Sequence, residues 1–356
     1  KKDGYQVATI IGGRADLEKD GYQVTIMIED EGSKPNLNTL SDKGLGLLSQ
    51  LIESKNIQPT VTPAADNSGT PTETPTVGNP SPSDTQQISL DPLLDWRDRN
   101  TEPRPEGAKL DYYQGLNPPY KPRDGFLASL EEMKQMKNGA QIYDLLAPEV
   151  TVFGKINPNT ISGEAFSNFL NSTGEYQQGW LDTVADQFET YRRDHTRFDT
   201  IEMLKNVQGI ITIEQFKPFL QISGACNVNM ASDIGLTVLL KEANYSDSAI
   251  QGVLNLRKAG PIKQVAEVNG LLGYSGVKGQ VHPDDYLTTV STIIHYRIWV
   301  RSGKGTGCYY LDTVWQREAG GLKKDWQITQ ISFRELWNQA APEIPKLEEP
   351  KENEED

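Results

Sequence analysis

The sequence predicts an α+β protein: one antiparallel sheet takes strands from both ends of the chain, and a large all-α block is inserted between them. Three observations predict it. Alternating, β-branched segments stand near the front, nine segments with helical spacing fill the middle, and strand-like segments separated by glycine turns follow His282. Strands that flank helices on both sides are most simply joined in one sheet. A block bulging from one loop of that sheet costs little when the loop ends lie close together.

Each element follows in order. Gly4–Ile11 and Gly21–Ile28 read as two adjacent strands joined by a Gly12-Gly13 turn, and Lys-Asp-Gly-Tyr-Gln-Val occurs at Lys2 and again at Lys19. A short amphipathic helix is expected over Leu40–Glu53. Residues 1–57 thus form the first β part. Residues 58–87 are rich in Pro, Thr, Ser, Gly and Asn, with few apolar groups to offset the entropy of ordering, and read as a flexible linker. Residues 88–281 form the helical block, with helical spacing over Leu127–Lys137, Ile142–Leu146, Ser162–Leu170, Trp180–Arg192, Ile201–Val207, Ile213–Leu220, Ile234–Leu240, Asp247–Arg257 and Ile262–Val268. Residues 282–340 return to β pattern, with strands expected over Tyr286–Ile294, Tyr296–Val300, Gly307–Arg317 and Trp326–Phe333. Residues 341–356 read as an acidic disordered tail.

Charge and composition exclude several function classes. With 35 basic and 49 acidic residues, the net charge of -14 opposes the cation–phosphate contacts on which nucleic-acid affinity rests. No run of 18 apolar residues occurs, so no transmembrane helix is expected. Cys226 and Cys308 have no metal-binding spacing and read as two buried thiols or one disulfide, the former favoured. His195, His282 and His295 show no paired-ligand spacing and read as isolated structural histidines. No phosphate-binding loop, nucleophile elbow or dinucleotide fingerprint occurs, and Glu131-Glu132 reads as a solvated helix face, so no enzyme is expected. Trp96, Trp180, Trp299, Trp315 and Trp326 sit in apolar patterns and read as core.

Internal repeats are the clearest sequence signal. Ser129–Met136 aligns with Thr200–Val207 and, more faintly, with Gln264–Leu271. Asn-x-Asn strings recur at Asn36, Asn157 and Asn227. The first Asn can close an Asx turn, and the second Asn or the following Thr can cap a helix.

Together these motifs resemble the K subunit of type II secretion systems, a minor pseudopilin. Glu29-Asp30-Glu31-Gly32-Ser33-Lys34-Pro35-Asn36-Leu37-Asn38-Thr39 is similar to its first signature. Leu94–Asp98 with Pro103–Ala108 and Asp111-Tyr112-Tyr113 is similar to its second, and Phe126–Met133 to its helix motif. The resemblance spans about residues 22 to 335, without the linker. It implies a pilin-like sheet with an inserted helical domain of helix-hairpin-helix-like repeats. It further implies a non-enzymatic subunit at the tip of a periplasmic pseudopilus, assembled with other minor pseudopilins and contacting secreted protein substrates. Such subunits carry a cleavable leader and an apolar N-terminal helix that anchors them on the periplasmic side of the inner membrane. The chain starts at Lys1-Lys2-Asp3 without either, so a trimmed N-terminus is expected, with membrane contact through the missing helix alone.

A cation site is the one ligand expectation. Asp91, Asp95 and Asp98 stand four and three residues apart, on one face of a helix, and Glu102 and Asp111 follow on a proline-rich stretch. Hard cations take such oxygen ligands from irregular loops, and the resemblance implies calcium here. The alternative is ion pairing of these carboxylates with Arg97, Arg99, Arg104 and Arg123. Two further functions stay open. One is nucleic-acid binding or DNA uptake through helix-hairpin-helix modules; the other is a type IV pilus minor subunit or adhesin.

Overall fold

Among the described residues the first hairpin turns between Lys19 and Tyr22, so the partner of the Gly21–Ile28 strand is Gly13–Lys19; Gly12 lies outside the described residues. β1 (Gly13–Lys19) pairs antiparallel with β2 (Tyr22–Asp30), with Lys19 opposite Tyr22. The loop is Asp-Gly in sequence, a two-residue hairpin signal that requires positive φ, and Gly21 has φ 78°. The computed structural model describes residues 13–56 and 88–343, apart from residues 20, 175, 196, 211–212, 278–279, 303–306, 319–326 and 338–341. The strand expected over Gly4–Ile11, the linker 58–87 and, but for Pro342 and Glu343, the tail 341–356 lie outside the described residues.

β2 leads into a five-stranded antiparallel sheet of order β1-β2-β5-β6-β7, with β5 Ile293–Ser302, β6 Cys308–Glu318 and β7 Gln327–Trp337. β2 and β5 are sheet neighbours, with Glu29 opposite His295. The chain therefore leaves the sheet after Asp30 and re-enters it beside the same strand, and nearly all the regular structure described between them is helical. The strands expected over Tyr286–Ile294 and Tyr296–Val300 need correction. Ile293–Ser302 is one strand, because nothing in it interrupts the ladder. Upstream, Leu287–Thr288 (β4) pairs in parallel with Cys226–Asn227 (β3), inside the helical part. Between the two, Ser291 turns inward: its hydroxyl donates to Asp30 and accepts from Asn227 Nδ2 at 3.0 Å, which a sheet strand would not allow.

The helices are α1 (Asp42–Asn56), α2 (Asp91–Arg97), α3 (Leu110–Gln114), α4 (Gly139–Leu146), α5 (Gly163–Thr173), α6 (Gln178–His195), α7 (Asp233–Glu242) and α8 (Asp247–Ala259). Three segments expected as helices are 3-10 turns: Leu130–Gln135, Ile201–Asn206 and Val265–Val268; a fourth, expected over Ile213–Leu220, holds only the 3-10 turn Lys217–Phe219. In the first three, buried or half-buried apolar residues recur every three positions, as at Ile201, Leu204 and Val207, which suits three residues per turn.

The helical part is built from three similar units. Each starts with an Asn-x-Asn loop and then a helix capped by a serine five residues after the first Asn. Ser41 accepts from the Gly44 N–H, Ser162 from Ala165 and Ser232 from Gly235. The first Asn closes an Asx turn in every copy, its Oδ1 accepting the N–H two residues on at 2.9–3.1 Å. The second Asn is not a cap. Its side chain crosses to a residue three positions before the 3-10 turn and bonds both backbone groups there: Asn38 to Leu127, Asn159 to Phe198, Asn229 to Ile262. Each unit also has its own apolar core: around Leu37, Trp96 and Met133; around Phe166, Phe188 and Phe198; and around Val228, Leu236 and Val253. Trp96 and Trp299 are buried, while Trp180 and Trp315 are half-buried. Cys226 and Cys308 are not joined to each other; Cys226 is buried as expected, whereas Cys308 is half-buried, and burial pushes the Cys226 thiol up to about 12.

Candidate functional site

Of the carboxylates singled out from the sequence, Asp91 and Asp95 lie four apart in α2 and Asp98 directly follows its end, and a strap of chain closes over these three. Each takes a backbone N–H from the segment that follows: Asp98 from Asn100, Asp95 from Arg104 and Asp91 from Glu106, all at 3.0 Å. The strap comes close because residue 107 is glycine; a Cβ there would lie 1.8 Å from the Asp95 carboxylate. Asp95 and Asp98 are buried, whereas Glu102 and Asp111 are exposed.

Two cations meet the buried pair. Arg104 bonds Asp95 at 2.8 Å and also bonds Asp98, while the buried Lys109 ammonium bonds Asp98 at 2.7 Å. Burial alone would raise the Asp98 carboxyl, but the bonds from Lys109 and Arg104 prevail and hold it below its ordinary value. Burial opposes the Arg104 charge too, yet the same carboxylates raise it. Of the two readings open in the sequence, ion pairing accounts for the described contacts of Asp95 and Asp98, though chiefly through Arg104 and Lys109. Arg97 and Arg99 point elsewhere, and Arg123 pairs with Glu132 at 2.5 Å. Among the described residues, Asp91, Asp95, Asp98, Glu102 and Asp111 do not form a group close enough to share one ion.

Sequence reasoning missed a set of three arginines. Arg97 donates to the carbonyls of Leu37 and Leu40, both at 2.7 Å, and pairs with Asp42. Arg257 does the same to Val228 and Ala231 and pairs with Asp233. Arg192 donates to Ile161 and to Asn159 O. Each guanidinium thus satisfies the carbonyls of the loop that starts its unit's first helix. The sequence holds no fixed spacing that would have disclosed this, since Arg97 follows the 58–87 stretch while Arg192 and Arg257 lie one helix away.

The units converge on a cleft of about 1230 Å³. Asp42 and Arg104 line it from the first unit, Glu189 and Arg192 from the second, Lys241 and Glu242 from the third. Glu242 ties the third unit to the first by accepting from Ser41 N–H and Oγ at 3.1 and 2.6 Å. Asp285 ties in the second: Arg197 pairs with its carboxylate at 2.9 Å and Asn157 bonds its carbonyl. Burial pushes the Asp285 carboxyl up to about 6 against the pull of Arg197. Walls of both signs suit a polar protein surface rather than an apolar ligand. A second cleft, of about 990 Å³, separates the sheet from the 3-10 turn at Leu130 and from α4. On its floor His295 bonds Asp312 at 2.8 Å and faces Glu31 at 3.5 Å. Burial opposes the imidazolium, but these two carboxylates lift it to about 9.

Comparison with known proteins places these features. Residues 77–155 match the family model of protein K of the type II secretion system (T2SS). Among solved structures, a chain of the GspK-GspI-GspJ complex from the enterotoxigenic Escherichia coli type 2 secretion system is similar. The identity is 12% and the TM-score 0.47, with 91% of this chain and 83% of that chain covered. No curated protein matches the chain. The matched stretch holds α2, its carboxylate strap and the Phe126–Met133 motif, and over these residues the chain is similar to protein K of the type II secretion system.

Proposed function

We propose that the chain works as a non-enzymatic minor pseudopilin at the tip of a type II secretion pseudopilus. It assembles with other minor pseudopilins, starts or caps the filament, and contacts secreted protein. The observation that carries this reading is the protein K match over residues 77–155. The fold supports it: a five-stranded antiparallel sheet serves as the pilin-like part, and the three helical units form a helix-hairpin-helix-like insertion between β2 and β5. In this reading the inserted domain is residues 88–281 together with the Asn36 loop and α1, which share the core of the first unit, and the strands β1, β2, β5, β6 and β7 form the sheet domain.

Such a subunit acts on the periplasmic side of the inner membrane, held there before assembly by an N-terminal helix. Among the described residues no helix is long and apolar enough to cross a membrane. The mixed-charge cleft between the units is the surface we assign to secreted protein. The test is size-exclusion chromatography with light scattering, on this chain mixed with the soluble parts of the other minor pseudopilins of its system. A stable hetero-complex is expected, and deleting the gene should stop secretion without lowering substrate synthesis. Free components together with normal secretion would sink the reading. A retarded DNA band at low salt would turn it toward the helix-hairpin-helix alternative.

A further inference from the structure

The geometry points to a second kind of site, on the sheet rather than in the helical part: Glu29, Glu31 and His295 bind a divalent transition metal ion of the zinc class. One ligand atom from each lies within 4.8 Å of the others, the one such group of three among the described residues. The backbone fixes all three. Glu29 stands opposite His295 in the β2–β5 ladder, and Glu31 opens the 3-10 turn that directly follows β2. Glu31 is 2% exposed, so its carboxylate has little freedom to move.

The imidazole is oriented for the task. Its Nε2 lies 2.8 Å from Asp312 Oδ1, and Asp312 is itself held by the Tyr310 hydroxyl at 2.8 Å and by Arg334 at 3.0 Å. With Nε2–H donating to a carboxylate, Nδ1 is the nitrogen that faces Glu31, at 3.5 Å. Histidines that ligate metals are commonly held this way, by a carboxylate on the far nitrogen. One nitrogen and two carboxylate oxygens suit zinc-class ions better than calcium, which takes oxygen alone. The cleft beside the sheet leaves room for water as a fourth ligand.

Lys34 marks the cation position. Its ammonium lies 3.3 Å from Glu29 and 3.1 Å from Glu31. A metal ion would displace this flexible side chain toward solvent and take the place of the proton on His295 Nδ1. Arg297, on Glu29, would remain as an outer partner.

The experiment uses the untagged chain at pH 8, with cobalt(II) as a visible probe and zinc(II) in a calorimeter. Expected are cobalt d–d bands and saturable zinc binding at one site. Asp312→Asn should weaken zinc about 10–100-fold, and His295→Gln should abolish the bands. Lys34→Met, which removes the competing ammonium without touching a ligand, should tighten zinc and keeps the test alive if His295→Gln fails to fold. No cobalt bands in the parent chain, binding undiminished in folded His295→Gln, or no gain in Lys34→Met would overturn the assignment.

Discussion

The side-chain amide of Asn159 pairs with both backbone groups of Phe198: Nδ2 donates to Phe198 O at 3.0 Å, and Phe198 N–H donates to Oδ1 at 2.8 Å. An amide can answer a donor and an acceptor at once; a carboxylate cannot. Asn159→Asp would set a charged oxygen against the Phe198 carbonyl beside the buried aromatic core of its unit. The expected loss is about 1–3 kcal/mol, and Asn38→Asp and Asn229→Asp should behave alike. Exposed Asn255, which bonds only to neighbouring Gln251 in the described structure, is the control: Asn255→Asp should change stability by under about 0.5 kcal/mol. Urea unfolding of the four variants checks this, and equal small effects would show that the crossing amide does not hold the units.

The strap over α2 gives the second prediction. Lys109→Met removes a buried ammonium from Asp98 and should cost on the order of 3 kcal/mol, because a carboxylate is left buried with one partner fewer. The same geometry bears on calcium. In the parent chain Arg104 and Lys109 already neutralise Asp95 and Asp98, so calcium should leave its melting temperature unchanged. In an Arg104→Met, Lys109→Met double variant calcium should restore part of the lost stability by binding the freed carboxylates. A rise in the parent chain's melting temperature would show instead that a cation displaces these side chains.

How much of this was legible in sequence depends on how local the cause was. The Asp91, Asp95 and Asp98 spacing disclosed their gathering at α2 because helical periodicity is local. What neutralises Asp95 and Asp98 came from Arg104 and Lys109, whose reach depends on how the strap folds back over Gly107. The Asn strings were visible, and so was the Asx turn of each first Asn. The second Asn bonds a residue up to 89 positions away, as Asn38 does with Leu127, and no local rule specifies that. Two signals were present but misread. The Asp-Gly pair at 20–21 marked the first hairpin turn, and an apolar spacing of three at Leu130, Met133 and Met136 marked a 3-10 turn rather than an α-helix.

Helix packing in the second unit supplies a third prediction. A Cβ at Gly163 would lie 2.3 Å from the Ala185 carbonyl oxygen in α6. Since both positions sit in helix backbone, neither can yield without moving the α5–α6 pair. Gly163→Ala should therefore destabilise by about 1–3 kcal/mol despite its better helix propensity. Gly179, where an added Cβ meets nothing within 4 Å, is the matched control, and Gly179→Ala should be neutral or stabilising. Thermal melts of the two variants separate a packing cost from a backbone effect.

The fourth prediction concerns pH. Asp285 is buried at the junction of the second and third units, and its carboxyl rises from 3.8 to about 6 on folding. A carboxyl raised in the folded state binds its proton more tightly there than in the unfolded chain. Its contribution to stability is therefore full below about pH 4 and is lost as pH rises through about 6. The loss amounts to up to about 3 kcal/mol. Other carboxylates, Asp98 among them, are lowered and work in the opposite direction, so the parent chain's own profile mixes both signs. Comparison with Asp285→Asn isolates the effect. The carboxamide keeps an oxygen for Arg197 but has no proton to lose, so the parent chain should gain relative to the variant at pH 4.5 and fall behind it at pH 7. Urea midpoints at the two values read this directly. A stability difference that stays constant between them would mean that Asp285 is ionised throughout, with Arg197 outweighing its burial.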